Sequence, residues 1–186
     1  MSDAPDEVRV YAAYIRRIAA DAVATLQDLS AGQLNWKTGE DGSNTMFAIA
    51  THLVAMGEYW VLCLVGGADI VRARQAEFHA VGSAAEIVLR LQNWSQACDE
   101  LCIGLGSEVL AEIARVPIEY LHSGGFGNGV LSKRECLMHV VEHSALHLGQ
   151  LQICGSWLNG ALSSFVRAKL VGHCFFVARS MRCLVN

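Results

Sequence analysis

The sequence predicts an all-α protein: an up-and-down-type four-helix bundle with an additional C-terminal helix. Three observations carry that expectation. Only two prolines occur, Pro5 and Pro117, which leaves long stretches free to be helical. Apolar residues recur at spacings of three and four over those stretches. Polar clusters, two of them capping sequences, divide the chain into four long segments joined by moderate loops, the arrangement of a bundle.

The first helix is "DEVRVYAAYIRRIAADAVATLQDL", residues 6–29, with Asp6 and Glu7 in its first turn to complement the helix dipole. Residues 30–44 are rich in Gly, Ser and Asn and read as a loop whose Ser43 or Asn44 caps the second helix. That helix runs to about Val65, where Gly66 and Gly67 stop it. A connector follows to about Gly82. Ser83 with Glu86 then makes a capping box that opens the third helix, through about Leu105. Residues 117–131 are the least helical part of the chain, and their Gly cluster suggests a hairpin or extended loop. Ser132 with Glu135 is a second capping box, opening a fourth helix that ends near Asn159–Gly160. Residues 1–160 are thus expected to form the bundle. Residues 161–186 form a C-terminal helical extension whose stripe of Leu162, Phe165, Val166, Leu170, Val177 and Met181 must be covered. Packing on the same domain, near the interface of a homodimer, would cover it.

Composition narrows the class. A net charge of −4 gives no electrostatic case for nucleic acid. The seven cysteines are scattered, with no CxxC pair, and read as inert core thiols in a reducing, cytoplasmic compartment. The stretch 46–65 has the length of a bilayer span, but it holds His52 and Glu58 mid-span without flanking basic residues. A central bundle helix explains it better than a membrane does.

The chemistry concentrates in "HVVEHSALHLGQ", residues 139–150, where His139, His143 and His147 stand four apart. Residues one turn apart differ by roughly 40° around the helix and 6 Å along it, so one ion can take His143 with His147, or His139 with His143, but hardly all three. His52 is the one histidine of the second helix, in the middle of its apolar run. Bundles build metal sites from such inward residues on facing helices. Three neutral nitrogens would leave coordination positions open, the catalytic rather than the structural pattern.

"LNWKTGEDGSNTMFAIATHLVAMGEYWV" followed far downstream by "HVVEHSALHLGQLQ" resembles the DinB/YfiT-like superfamily of metal-binding four-helix bundles, over roughly residues 6–160. It is most similar to the small bacterial branch without assigned chemistry. The resemblance implies that His52, in its "HL" context, joins His143 and His147 of the "H-x-x-x-H-x-G-Q" motif as metal ligands. It also implies a mononuclear divalent-metal protein, most simply a transferase joining a low-molecular-weight thiol to an electrophilic small molecule. Metal–water hydrolysis, or a non-catalytic metal-stabilised bundle that binds a ligand, are the alternatives. Zinc or nickel suits three imidazoles, as do iron and copper by ligand type.

The same helical arithmetic ranks the other candidates. Gln150, seven after His143, and Tyr59, seven after His52, return to the ligand faces and are the candidate catalytic residues. Glu142 points away, and His139 is a neighbour of the site or simply buried. Trp36, Tyr120, His122 and Phe126 are candidates for the wall of the entrance.

Overall fold

The computed structural model describes residues 6–37, 43–117, 120 and 129–158. The tail expected to form a fifth helix lies outside them. Within them the chain forms four long helices, two single-turn α-helices, one 3-10 turn and one two-stranded ribbon: α1 (Asp6–Leu26), α2 (Ala31–Leu34), α3 (Met46–Gly57, continued by the π-helical segment Glu58–Val65), α4 (Arg74–Glu77), α5 (Ala84–Ile103), the 3-10 turn Val109–Ala111, β1 (Ile113–Arg115), β2 (Val130–Ser132) and α6 (Lys133–Leu158).

Periodicity becomes packing directly. Val8, Tyr11, Ile15, Ile18, Ala22 and Leu26 of α1 are buried at three and four spacing. Ile87, Leu91, Trp94, Cys98 and Cys102 do the same on α5. Nearly every residue of α3 is buried, so the bilayer-length stretch 46–65 is the central helix of the fold. The inward stripe of α6 contains His139, His143 and His147 among Cys136, Leu137, Val140 and Leu151.

The ends follow local chemistry. Both expected capping boxes form: Glu86 accepts from Ser83 N at 2.7 Å, and Glu135 from Ser132 N at 2.7 Å. The start of α3 differs from expectation, because the cap is Thr45 rather than Ser43 or Asn44. Its hydroxyl accepts from Ala48 N at 3.0 Å, three residues on, where a cap oxygen must sit. Gly67 ends the π segment with φ of 79°, and Ala68 N reaches back to Leu62 O at 2.9 Å. The loop expected over 30–44 holds one helical turn, α2, closed by a capping box of Ser30 with Gln33. Antiparallel pairing of β1 with β2, Ala114 opposite Leu131, brackets the stretch 117–131 expected to be a hairpin or extended loop, most of which lies outside the described residues.

The four-helix bundle is therefore observed, and contacts at both ends fix its directions more closely than simple alternation. Arg134 pairs with Glu7 while Gly155 packs on Thr25, so α1 and α6 run the same way. Met46 lies near Gly155 and Trp60 on His139, so α3 opposes α6. Phe47 meets Gly82, Gly57 meets Trp94 and Gly66 meets Leu101, so α3 and α5 are parallel. The order is up, down, down, up. Two consecutive parallel helices need a crossover, and residues 66–83 supply it along the length of the bundle.

Glycine makes the tightest of these contacts. A Cβ on Gly57 would stand 2.3 Å from the Trp94 ring, whereas one on Gly149 would meet nothing within 4 Å. Gly57→Ala should cost about 2 kcal/mol through overpacking, although alanine is the better helix former. Gly149→Ala should instead gain up to about 1 kcal/mol. Urea melts of the two variants check the contrast, and equal midpoints would refute the close approach.

Candidate metal centre

The bundle brings His52 from the middle of α3 against His143 and His147 of α6. The Nε2 atoms of His52 and His143 are 3.2 Å apart, and those of His147 and His143 are 2.9 Å apart. One nitrogen from each ring lies within 4.8 Å of the other two, and all three side chains are buried. Of the alternatives left open by helical geometry, His143 with His147 is the pair that meets His52. His139 is one turn further along, its ring 4.1 Å from Trp60 and 5.1 Å from His143.

Protonation follows from the outer partners. His52 Nδ1 lies 2.7 Å from Glu77 Oε2. Burial opposes a charge on Glu77, but hydrogen bonds from His52 and Arg72 outweigh it, and the carboxyl sits below its ordinary pKa. Glu77 is therefore an acceptor, and His52 Nδ1 holds the proton. Burial also depresses the His52 pKa, against the pull of Glu77, so the ring is neutral and its Nε2 is a bare lone pair. His147 Nδ1 donates to Gln150 Oε1 at 2.8 Å, which leaves its Nε2 a lone pair as well. His143 Nε2, between the two, has at most one proton to share. Two or three lone pairs thus point at one another in a buried space, an arrangement that a cation resolves. The donor set fits a divalent ion of borderline character, and the carboxylate–histidine relay is the usual outer support of such a site.

Three supporting residues were not legible in the sequence. Glu77 is gripped by Arg72 through a fork, Nε to Oε1 at 2.7 Å and Nη2 to Oε2 at 2.8 Å. Arg72 lies over the Tyr120 ring, and the Tyr120 hydroxyl donates to the Arg72 carbonyl at 2.9 Å. Phe78 stacks on His52 with centroids 4.9 Å apart. All three come from the crossover. One signal was available: a buried imidazole in an apolar helix needs an acceptor, and the connector offers only Asp69 and Glu77.

The other candidates fall as follows. Gln150 orients His147, three residues before it, rather than His143. Tyr59 is buried with its ring edge on Tyr120 at 4.8 Å. Its expected direction assumed regular α-helical steps, which the π segment does not keep. Glu142 is exposed. Trp36 packs on Trp157 at 4.6 Å, and His122 and Phe126 lie outside the described residues. Cys63, Cys98, Cys102 and Cys136 are free thiols, as expected. Burial pushes the Cys102 thiol up to about 11 and the Cys136 thiol up to about 12, so neither supplies a thiolate.

Fold and site define a class: a four-helix bundle built round three converging imidazoles that could hold a metal ion. The sequence model of the DinB superfamily matches residues 14–151. The chain belongs to that superfamily. Among curated proteins, none matches it.

Two outcomes follow from this geometry. His147→Ala should lower divalent-metal affinity by orders of magnitude and Glu77→Gln by about tenfold to a hundredfold, while His139→Ala changes it little. Metal titration decides, and equal losses at 139 and 147 would assign the wrong pair. The depressed His52 pKa also sets a pH dependence for the metal-free protein. In the unfolded chain the imidazole takes up a proton near its ordinary value of roughly 6.5, whereas the folded ring refuses it. Its contribution is complete above that pH and is lost as pH falls toward the lower folded value. Thermal midpoints should therefore drop between neutral pH and pH 5, and His52→Gln should flatten that part of the profile.

Proposed function

We propose that the chain is a mononuclear divalent-metal protein with His52, His143 and His147 as ligands, acting as a transferase that joins a low-molecular-weight thiol to an electrophilic small molecule. The observation that carries this reading is the convergence of three buried imidazoles from α3 and α6, one nitrogen of each within 4.8 Å of the other two. All three ligands are neutral, so positions and positive charge are left for an exogenous anion. A divalent ion there supplies Lewis acidity that holds an incoming thiol as its thiolate.

The protein's own groups do the rest. Arg72 and Glu77 keep His52 in one tautomer and one direction. Gln150 does the same for His147 through its oxygen, and its amide N–H groups remain to donate to a bound molecule. Tyr59 and Tyr120 brace the Arg72 side of the site. The thiol gives up its proton to solvent water, its sulfur forms the bond to the electrophilic carbon, and the displaced electron pair departs with the leaving group, which takes up a proton from water. The raised thiol pKa values of Cys102 and Cys136 support a nucleophile brought from outside. The free thiols of Cys63, Cys98, Cys102 and Cys136 also support a reducing, cytoplasmic setting. A second copy of the chain is the partner that exposed Met138, Leu146 and Ile153 on α6 would suit, and solution mass measures it.

Elemental analysis of protein purified without a histidine tag should give one divalent metal per chain. Adding 2-mercaptoethanol to the cobalt-substituted protein should then produce a sulfur-to-metal charge-transfer band. Folded protein that takes up no metal would overturn the metal reading. Metal uptake without a thiol band would overturn the transferase reading and leave hydrolysis by the same ligands.

A further inference from the structure

The crossover carries two arginines, two residues apart, that face different tasks. Arg72 is committed: the Nε and Nη2 edge of its guanidinium donates to both oxygens of Glu77. Arg74 is half-buried, and among the described residues it makes no ion pair with a carboxylate. Its guanidinium lies over the Phe78 ring, 5.6 Å from the centroid. The same ring stacks on His52 at 4.9 Å. Arg74 therefore stands no farther from the His52 imidazole than those two steps laid end to end, the span of a small molecule.

Charge around the centre is unbalanced. Arg72 and Glu77 cancel each other as a buried pair. The three imidazoles bring no negative charge. Glu142, the acid nearest the α6 histidines in sequence, is exposed. Desolvation and the nearby Arg72 charge both work against the Arg74 cation; Glu77 favours it only through space, because that carboxylate is already held by Arg72, and among the described residues no carboxylate forms an ion pair with Arg74. A cation held partly out of water without a partner is costly, and a ligand anion removes that cost. A divalent ion at the histidines adds to the same excess.

We propose that Arg74 is the anion-recognition residue of this centre, and that the small molecule bound there carries a carboxylate which pairs with the Arg74 guanidinium while its other end meets the histidine site. This rests on the metal reading above and names the substrate class for it. Arg74 acts as a specificity residue. A planar guanidinium matches a carboxylate with two parallel N–H donors, whereas an ammonium offers only a point charge. Phe78 has a double part, since it holds Arg74 on its ring and packs on a ligand histidine.

The probes are propionate, 3-mercaptopropionate and 2-mercaptoethanol, titrated into cobalt-substituted protein and followed by its visible spectrum. The wild-type chain should bind 3-mercaptopropionate at least about tenfold tighter than 2-mercaptoethanol, the worth of one charge-assisted contact. Arg74→Gln should remove that preference and weaken propionate binding by a similar factor. Cobalt affinity, thermal midpoint and 2-mercaptoethanol binding should stay as they were. Arg74→Lys should recover part of the preference.

Propionate separates this inference from the thiol reading, because it has no sulfur. Loss of propionate binding in Arg74→Gln, with no thiol band in any variant, supports the anion site and removes only the transferase. Normal cobalt uptake with unchanged propionate affinity in Arg74→Gln overturns the anion site and leaves the metal reading standing. Absence of cobalt uptake by the wild-type chain overturns both.

Discussion

The hydrogen bond between Glu77 and His52 is the interaction on which the centre depends. A buried neutral imidazole has one proton and two nitrogens, and where the proton sits decides which nitrogen is basic. Glu77 takes the proton onto Nδ1, and that choice turns Nε2 toward α6. The carboxylate survives burial because Arg72 and His52 outweigh the cost of leaving water. If Arg72 were missing, the Glu77 charge would be stranded, a larger loss than the pair is worth intact. The site is thus held from behind by a chain of Tyr120, Arg72 and Glu77. Its rigidity comes from residues outside the trio of histidines.

The bundle itself is conventional in its energetics. Long apolar stripes on α1 and α5 and the almost wholly buried α3 supply the driving force, and Trp60 and Trp94 fill the interior. Among the described residues, polar side chains enter that interior along the α6 stripe and at Thr45, Thr51, His52 and Glu77. Such residues are costly unless satisfied, which is why the imidazoles and their partners form one connected network.

How much of this was legible in the sequence depends on how far apart the cooperating residues lie. The capping boxes at Ser83 and Ser132 are three-residue chemistry, so the starts of α5 and α6 could be read directly. Gln150 was found as a neighbour of the site, though its partner turned out to be His147. The His143–His147 pair is one turn of one helix and equally local, and its junction with His52 followed from the family resemblance. Glu77 was missed because its link to His52 spans 25 residues and depends on the path of a connector. The parallel run of α3 and α5 was missed for the same reason: periodicity reports which face is buried, never which way the next helix points. Tyr59 shows a third kind of limit, since the π segment breaks the regular step on which the helical arithmetic relied.

The crossover has a consequence for how such a protein can change. Because α3 and α5 run the same way, residues 66–83 must travel from one end of the bundle to the other, and their path passes the histidines. That passage supplies Arg72, Arg74, Glu77 and Phe78 from a segment with a single helical turn of its own. Most of the segment contributes little to the apolar core, so its residues can be exchanged, lengthened or shortened with modest effect on folding. The ligand histidines sit on the long helices, where substitution disturbs the core. Permanence of the histidine cluster and variability of its surroundings are thereby assigned to different stretches of one chain. A lineage could retune the surroundings of the cluster by rewriting a loop, while leaving the scaffold and its three histidines untouched.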